Sequence, residues 1–175
     1  MTQISRLLVV LVSTCFAGTV SGCTFSAPQF ESAIAMAQGI TGSDEPKSGD
    51  EPATWFASID GVGAVLNPYV SNDLIVFANT DGDAIAFDGW TIRSVVGFGL
   101  KDPLSISGKD GVRTFTVAGQ KMQTNCDQWI LTGLSWRQTC SNGSGEILLN
   151  EEGSIQKITM AIGNGSGIVT LRVAN

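Results

Sequence analysis

Histidine is missing from all 175 residues. Without an imidazole the chain has no histidine general base, no Ser-His-Asp or Cys-His catalytic set and no histidine metal ligand. Positive charge is scarce, with 10 lysines and arginines against 16 aspartates and glutamates, for a formal charge of -6. A chain of that sign repels phosphate backbones, so nucleic acid is not an expected partner. Charged residues make up only 15% and hydrophobic residues 43%, the reverse of the balance that keeps a chain disordered. There is no Cys-x-x-Cys pair, which removes thioredoxin-like redox chemistry. Long apolar runs are lacking as well. The stretch Leu7 to Val12 is soon broken by Ser13, Thr14 and Gly18, well short of the roughly 20 apolar residues that span a bilayer as a helix.

What is present begins with an address. Arg6, the apolar run and a tail of small residues ending in Val20-Ser21-Gly22-Cys23 have the layout of a secretory signal. The last four residues resemble a bacterial lipobox, in which cleavage precedes the cysteine, its sulfur is diacylated and its new amino group acylated. Residues 1–22 are thus the expected lipoprotein signal peptide and Cys23 the expected lipidation site. Two or more acyl chains on one residue give stable anchoring where one gives only reversible binding. Thr24, standing where aspartate would favour inner-membrane retention, points to a lipid-anchored outer-membrane protein whose body faces the periplasm. Residues 23–52 read as the lipidated N-terminus and a linker. Phe30 to Gln38 is predicted as one short helix, and Gly39 to Pro52 is polar, acidic and rich in turn residues.

From residue 53 to 175 short apolar or alternating pieces are punctuated by Asp60-Gly61, Asp81-Gly82, Asp88-Gly89, Asp110-Gly111, Asn142-Gly143, Gly153 and Asn164-Gly165. This predicts a single all-β domain, an antiparallel meander forming a two-sheet sandwich or a partly open barrel. The sharpest hairpin signal is Asp88-Gly89, joining Ala84 to Phe87 with a strand from Trp90 to Phe98. In that strand Trp90, Ile92, Ser94, Val96 and Phe98 share one face. Toward the C-terminus Ile158, Met160 and Ile162, then Val169, Leu171 and Val173, each define a core face by alternation.

Cys126 and Cys140 remain for the body of the protein and, in an oxidising compartment, are expected to form a structural disulfide. If the chain turns near Thr132 and Gly133 the two fall opposite one another. Asn79-Thr80-Asp81-Gly82-Asp83 clusters oxygen ligands but lacks the full spacing and the distal glutamate of a calcium loop, so it reads as a hairpin turn. No metal site, cofactor or catalytic residue is expected. Trp55, Trp90, Trp129 and Trp136 are expected first as core or strand packing and second as platforms for sugar rings. Arg93 and Arg137 either bind acidic groups or face water. Trp90 and Arg93 are the candidate contacts to a partner or glycan.

The run Asp88-Gly89-Trp90-Thr91-Ile92-Arg93-Ser94-Val95-Val96-Gly97-Phe98-Gly99, with a leucine-containing turn from Leu100 to Leu104, resembles the YjbF/GfcB family of outer-membrane lipoproteins associated with group 4 capsule and exopolysaccharide operons. The ending is similar too: Cys140, Gly145 to Leu149, Gly153 to Lys157 and Gly163 to Val173. Gly89-Trp90 stands where the family often has Gly-Arg. The resemblance covers residues 53–175. It implies an antiparallel β fold and a non-enzymatic accessory in capsule or exopolysaccharide secretion, with export components, outer-membrane proteins or glycan as partners. A periplasmic carbohydrate-active enzyme using paired carboxylates and a purely structural envelope lipoprotein are the alternatives.

Overall fold

The protein was analysed as a computed structural model, which describes residues 53–163 and 167–174. The expected signal peptide, Cys23, the linker with its short helix, and the Asn164-Gly165 turn lie outside the described residues.

Thirteen strands follow in order: β1 (Trp55–Ile59), β2 (Val62–Ser71), β3 (Leu74–Ala78), β4 (Ala84–Phe87), β5 (Ile92–Val96), β6 (Leu104–Lys109), β7 (Val112–Val117), β8 (Gln120–Asn125), β9 (Ile130–Thr132), β10 (Ser135–Cys140), β11 (Gly143–Leu149), β12 (Ile155–Ile162) and β13 (Gly167–Val173). There is no helix among the described residues. All pairings are antiparallel, and one continuous sheet runs β8-β7-β6-β5-β4-β3-β2-β1-β13-β12-β11-β10-β9. It is an up-and-down meander joined through its first and last strands, so its two edges, β8 and β9, are consecutive in sequence. The all-β meander predicted from the sequence is therefore found, curled into a half-barrel that opens between β8 and β9.

The bend sits in β2. Its residues 62–66 pair with β1, whereas 67–71 pair with β3. A strand that changes partners in this way turns the corner between two packed layers. Pro68, lacking an N–H, falls just past the change, where a regular ladder on both sides is not required. The two wings close on one core. Trp55, Ala57, Ile59, Ile158 and Leu171 from one side meet Ile75, Phe77, Ile85, Phe87 and Phe115 from the other, and the Trp55 and Phe77 rings lie 4.9 Å apart.

Turn chemistry follows the glycines and acidic residues. Asp60-Gly61 and Asp110-Gly111 are two-residue loops with positive φ at both positions, the conformation whose twist matches that of a β-hairpin. Asn72-Asp73 and Ala118-Gly119 form the same kind of loop. At Asn79 the side-chain Oδ1 accepts the N–H groups of Asp81 and Asp83, both at 3.0 Å. The oxygen-rich segment is thus used to build its own turn. The Asp83 carboxylate accepts the N–H of Phe98 at 2.6 Å and the Asn79 amide at 2.9 Å. It thereby secures Gly97-Phe98-Gly99, three successive residues at positive φ. These contacts, the Phe98 N–H foremost, hold the Asp83 carboxyl below its ordinary value of 3.8 against the opposing effect of burial.

One expectation fails in an informative way. Trp90 and Thr91 belong to the turn, and β5 begins at Ile92. Within β5 the inward residues are Ile92 and Val95, while Val96 is exposed. Phe87 pairs with Ile92 but Ala86 pairs with Ser94. Arg93 is the extra residue of a β-bulge, which shifts the alternation by one and re-aims the side chain.

Candidate functional site

The open seam carries the site. Beyond β8, Cys126 forms an isolated bridge with Cys140, and the two sulfurs are bonded. Asp127 N–H donates to Thr139 O at 2.8 Å and Ser141 N–H to Asn125 O at 2.8 Å, so the chain crosses from one edge of the half-barrel to the other beside a covalent staple. The β9–β10 hairpin pairs Ser135 with Thr132 and Arg137 with Ile130, around a Gly133-Leu134 turn. Continued regularly, that register would place Cys140 opposite Asp127; the excursion of residues 127–129 out of the ladder brings Cys126 there instead.

Above the staple lies a hollow of about 740 Å³ walled by Trp90, Trp129 and Trp136, within the size range of small-molecule sites. Each indole arrives by a separate local device. Trp90 sits in the β4–β5 turn, where Asp88 Oδ1 accepts the N–H of Trp90 at 2.9 Å and of Thr91 at 2.6 Å. Trp136 is on β10 opposite Leu131, which is 50% exposed. Trp129, in the crossing segment, lies over Gly145 of β11, where a Cβ would come within 2.9 Å of its Cη2. The Trp90 and Trp136 rings meet edge to face at 5.0 Å and 89°, and Trp90 stands 5.8 Å from Trp129. Trp55, by contrast, is 4% exposed and belongs to the core. The sequence expectation that all four are packing residues thus separates into one core indole and three half-buried ones that both pack and line a cavity.

A second hollow of about 260 Å³ adjoins the first, since Gly111, Cys126 and Gln138 line both. It is polar. Arg93 enters it from the bulge, its Nη1 3.6 Å from Asp88 Oδ2. Arg113 of β7 enters from below with its residue only 4% exposed. One of its guanidinium N–H groups donates to Gln138 Oε1, and Gln138 Nε2 donates to the backbone oxygen of Asp127 at 2.7 Å, so a hydrogen-bonded chain joins the two wings across the seam. Burial lowers the Arg113 pKa from its ordinary value and the Asp88 carboxylate opposes that shift; a guanidinium nevertheless stays charged throughout the range in which proteins fold.

Of the residues singled out from sequence, Trp90 and Arg93 are brought to the same opening, Cys126 and Cys140 form its staple, and Arg137 points elsewhere. Its side chain is 65% exposed and pairs with Glu146 at 3.1 Å. Arg113 was not foreseen. Its signal was present in Val112 to Val117, where Arg113 shares the parity of Phe115 and Val117 and so occupies an inward position of an apolar alternation.

No protein-family model matches the chain, and no curated protein matches it either. Among solved structures it is similar to the crystal structure of the hypothetical lipoprotein YmcC from Escherichia coli K12, with a TM-score of 0.51 and 11% identity over 87% of this chain and 94% of that one. The two share a fold. At that identity the likeness speaks for the arrangement of strands alone.

Proposed function

We propose that this protein is a non-enzymatic, lipid-anchored component of the outer membrane that assists capsule or exopolysaccharide secretion by holding saccharide in the tryptophan-walled cleft at the seam of its half-barrel. The observation that carries the reading is the convergence of Trp90, Trp129 and Trp136 on one cavity next to polar side chains. Indole faces bury the C–H faces of sugar rings, and neighbouring amides and guanidinium groups satisfy the hydroxyls. The lipobox-like Cys23, the resemblance of residues 88–99 to a capsule-associated lipoprotein family, and the fold shared with a hypothetical lipoprotein support the envelope setting. Export components or outer-membrane proteins are the proposed protein partners, and no nucleic acid or cofactor is invoked.

The test is genetic. Deleting the gene is expected to lower or alter surface polysaccharide, and the wild-type gene to restore it. A Trp90→Ala/Trp136→Ala double variant, present at wild-type abundance in the envelope, is expected not to restore it. Full restoration by that variant contradicts the role given to the cleft.

A further inference from the structure

Resting on the saccharide reading, we infer that the ligand is an acidic saccharide, one of whose carboxylates is received by Arg113 in the polar hollow while a ring lies against the tryptophans.

A guanidinium is a costly group to bury, and removing it from water is offset only where its donors are matched. Arg113 carries five N–H donors. Among the described residues one hydrogen bond to Gln138 engages that head group, and the rest of it faces a hollow rather than packed apolar side chains. Gly108, its direct partner on β6, contributes no side chain beside it, so the floor stays open. The planar fork of an arginine matches the two oxygens of a carboxylate.

The charge balance selects among anions. Arg93, Lys109 and Arg113 line the polar hollow against Asp88 and Asp110, an excess of one positive charge there, while Asp127 borders the adjoining hollow and brings the cleft as a whole to balance. Asp88 and Arg93 already engage one another. Cations so nearly matched by carboxylates suit one monoanionic carboxylate better than a dianionic phosphate. The adjoining apolar hollow adds the requirement that the carboxylate be attached to something with a ring face. A uronic acid unit meets both conditions.

The experiment is a calorimetric titration of the purified protein with three probes: trigalacturonate, the same trisaccharide with its carboxylates reduced to hydroxymethyl groups, and inorganic phosphate alone. Trigalacturonate is expected to bind at least about tenfold more tightly than the reduced sugar, with the preference shrinking as salt is raised. Phosphate is expected to bind more weakly than trigalacturonate. Arg113→Met is expected to abolish the preference, so that the variant binds trigalacturonate and the reduced sugar alike, and a preference that survives in a folded Arg113→Met protein overturns the inference. The comparison of probes on the wild-type protein needs no variant, so it stands even if Arg113→Met fails to fold. Equal binding of the acidic and reduced sugars overturns the inference and leaves the saccharide reading intact. Absence of binding by both sugars overturns the two together. Phosphate binding as tightly as trigalacturonate also overturns the inference, because the site would then be a simple anion hole.

Discussion

At the scale of single residues, close approaches decide more than composition does. Gly145 has no side chain because the Trp129 ring occupies the space of its Cβ. Gly145→Val should displace that indole, shift the tryptophan emission and weaken saccharide binding several-fold, with folding stability changed by no more than about 1–3 kcal/mol; fluorescence and thermal unfolding on one sample check both parts. Gly97, at φ +82°, faces Asp83 so closely that an added Cβ would lie 2.8 Å from the Asp83 Cα. Gly97→Ala combines a disfavoured backbone with a clash against main chain, and should cost about 2–4 kcal/mol, read as a lowered melting temperature. Asp83 itself makes stability depend on acid. Its carboxyl titrates lower in the folded protein than in the unfolded chain, so its contribution is complete above about 3.8 and is lost as pH falls through the lower folded value. Asp83→Asn should remove that part of the acid limb in a series of denaturant titrations below pH 5, whereas an unchanged limb would show that the Phe98 contact carries no weight.

At the scale of elements, the same arithmetic of alternation succeeds and fails for identifiable reasons. In β12 and β13 the pattern of inward isoleucine, methionine, valine and leucine was legible because Lys157 to Ile162 pairs regularly with β13, the register shift of β12 against β11 falling before that stretch, at Gln156. In β5 it was misread because one bulged residue, Arg93, inverts the faces, and a bulge leaves no mark in the composition of its own strand. Asn72-Asp73 and Ala118-Gly119 were missed as turns because neither has the Asn-Gly or Asp-Gly form, although the backbone accepts them. The disulfide was legible as a pairing, whereas the residue offset that aligns it arises from the crossing segment. That staple joins cysteines 14 positions apart, so chain entropy gives it about 3 kcal/mol. Guanidinium unfolding of a Cys126→Ser/Cys140→Ser variant should show a loss of that order. Hydrogen exchange should rise chiefly around β8 and the crossing segment, where the half-barrel is open.

At the scale of the molecule, the sequence told more about class than about site. The lipobox-like Val20-Ser21-Gly22-Cys23 is the ground for the proposed envelope setting, and an all-β body follows from the spacing of turns along the chain. The cleft does not, because Trp90 from the β4–β5 turn, Arg113 from β7 and Trp129 and Trp136 from the far edge meet only when the sheet bends at β2 and its edges are stapled. Mass spectrometry of the mature protein should find residues 1–22 removed and Cys23 acylated; an intact leader would detach the cleft from the membrane setting proposed for it. The four indoles offer the most direct test of the cleft itself, since three line it and Trp55 lies in the core. Titrating the protein with the surface polysaccharide of its own source, cut to oligosaccharides, while following the indole N–H signals by NMR should move the resonances of Trp90, Trp129 and Trp136 and leave that of Trp55 in place. Four stationary signals, or four that move alike, would contradict saccharide binding at the seam.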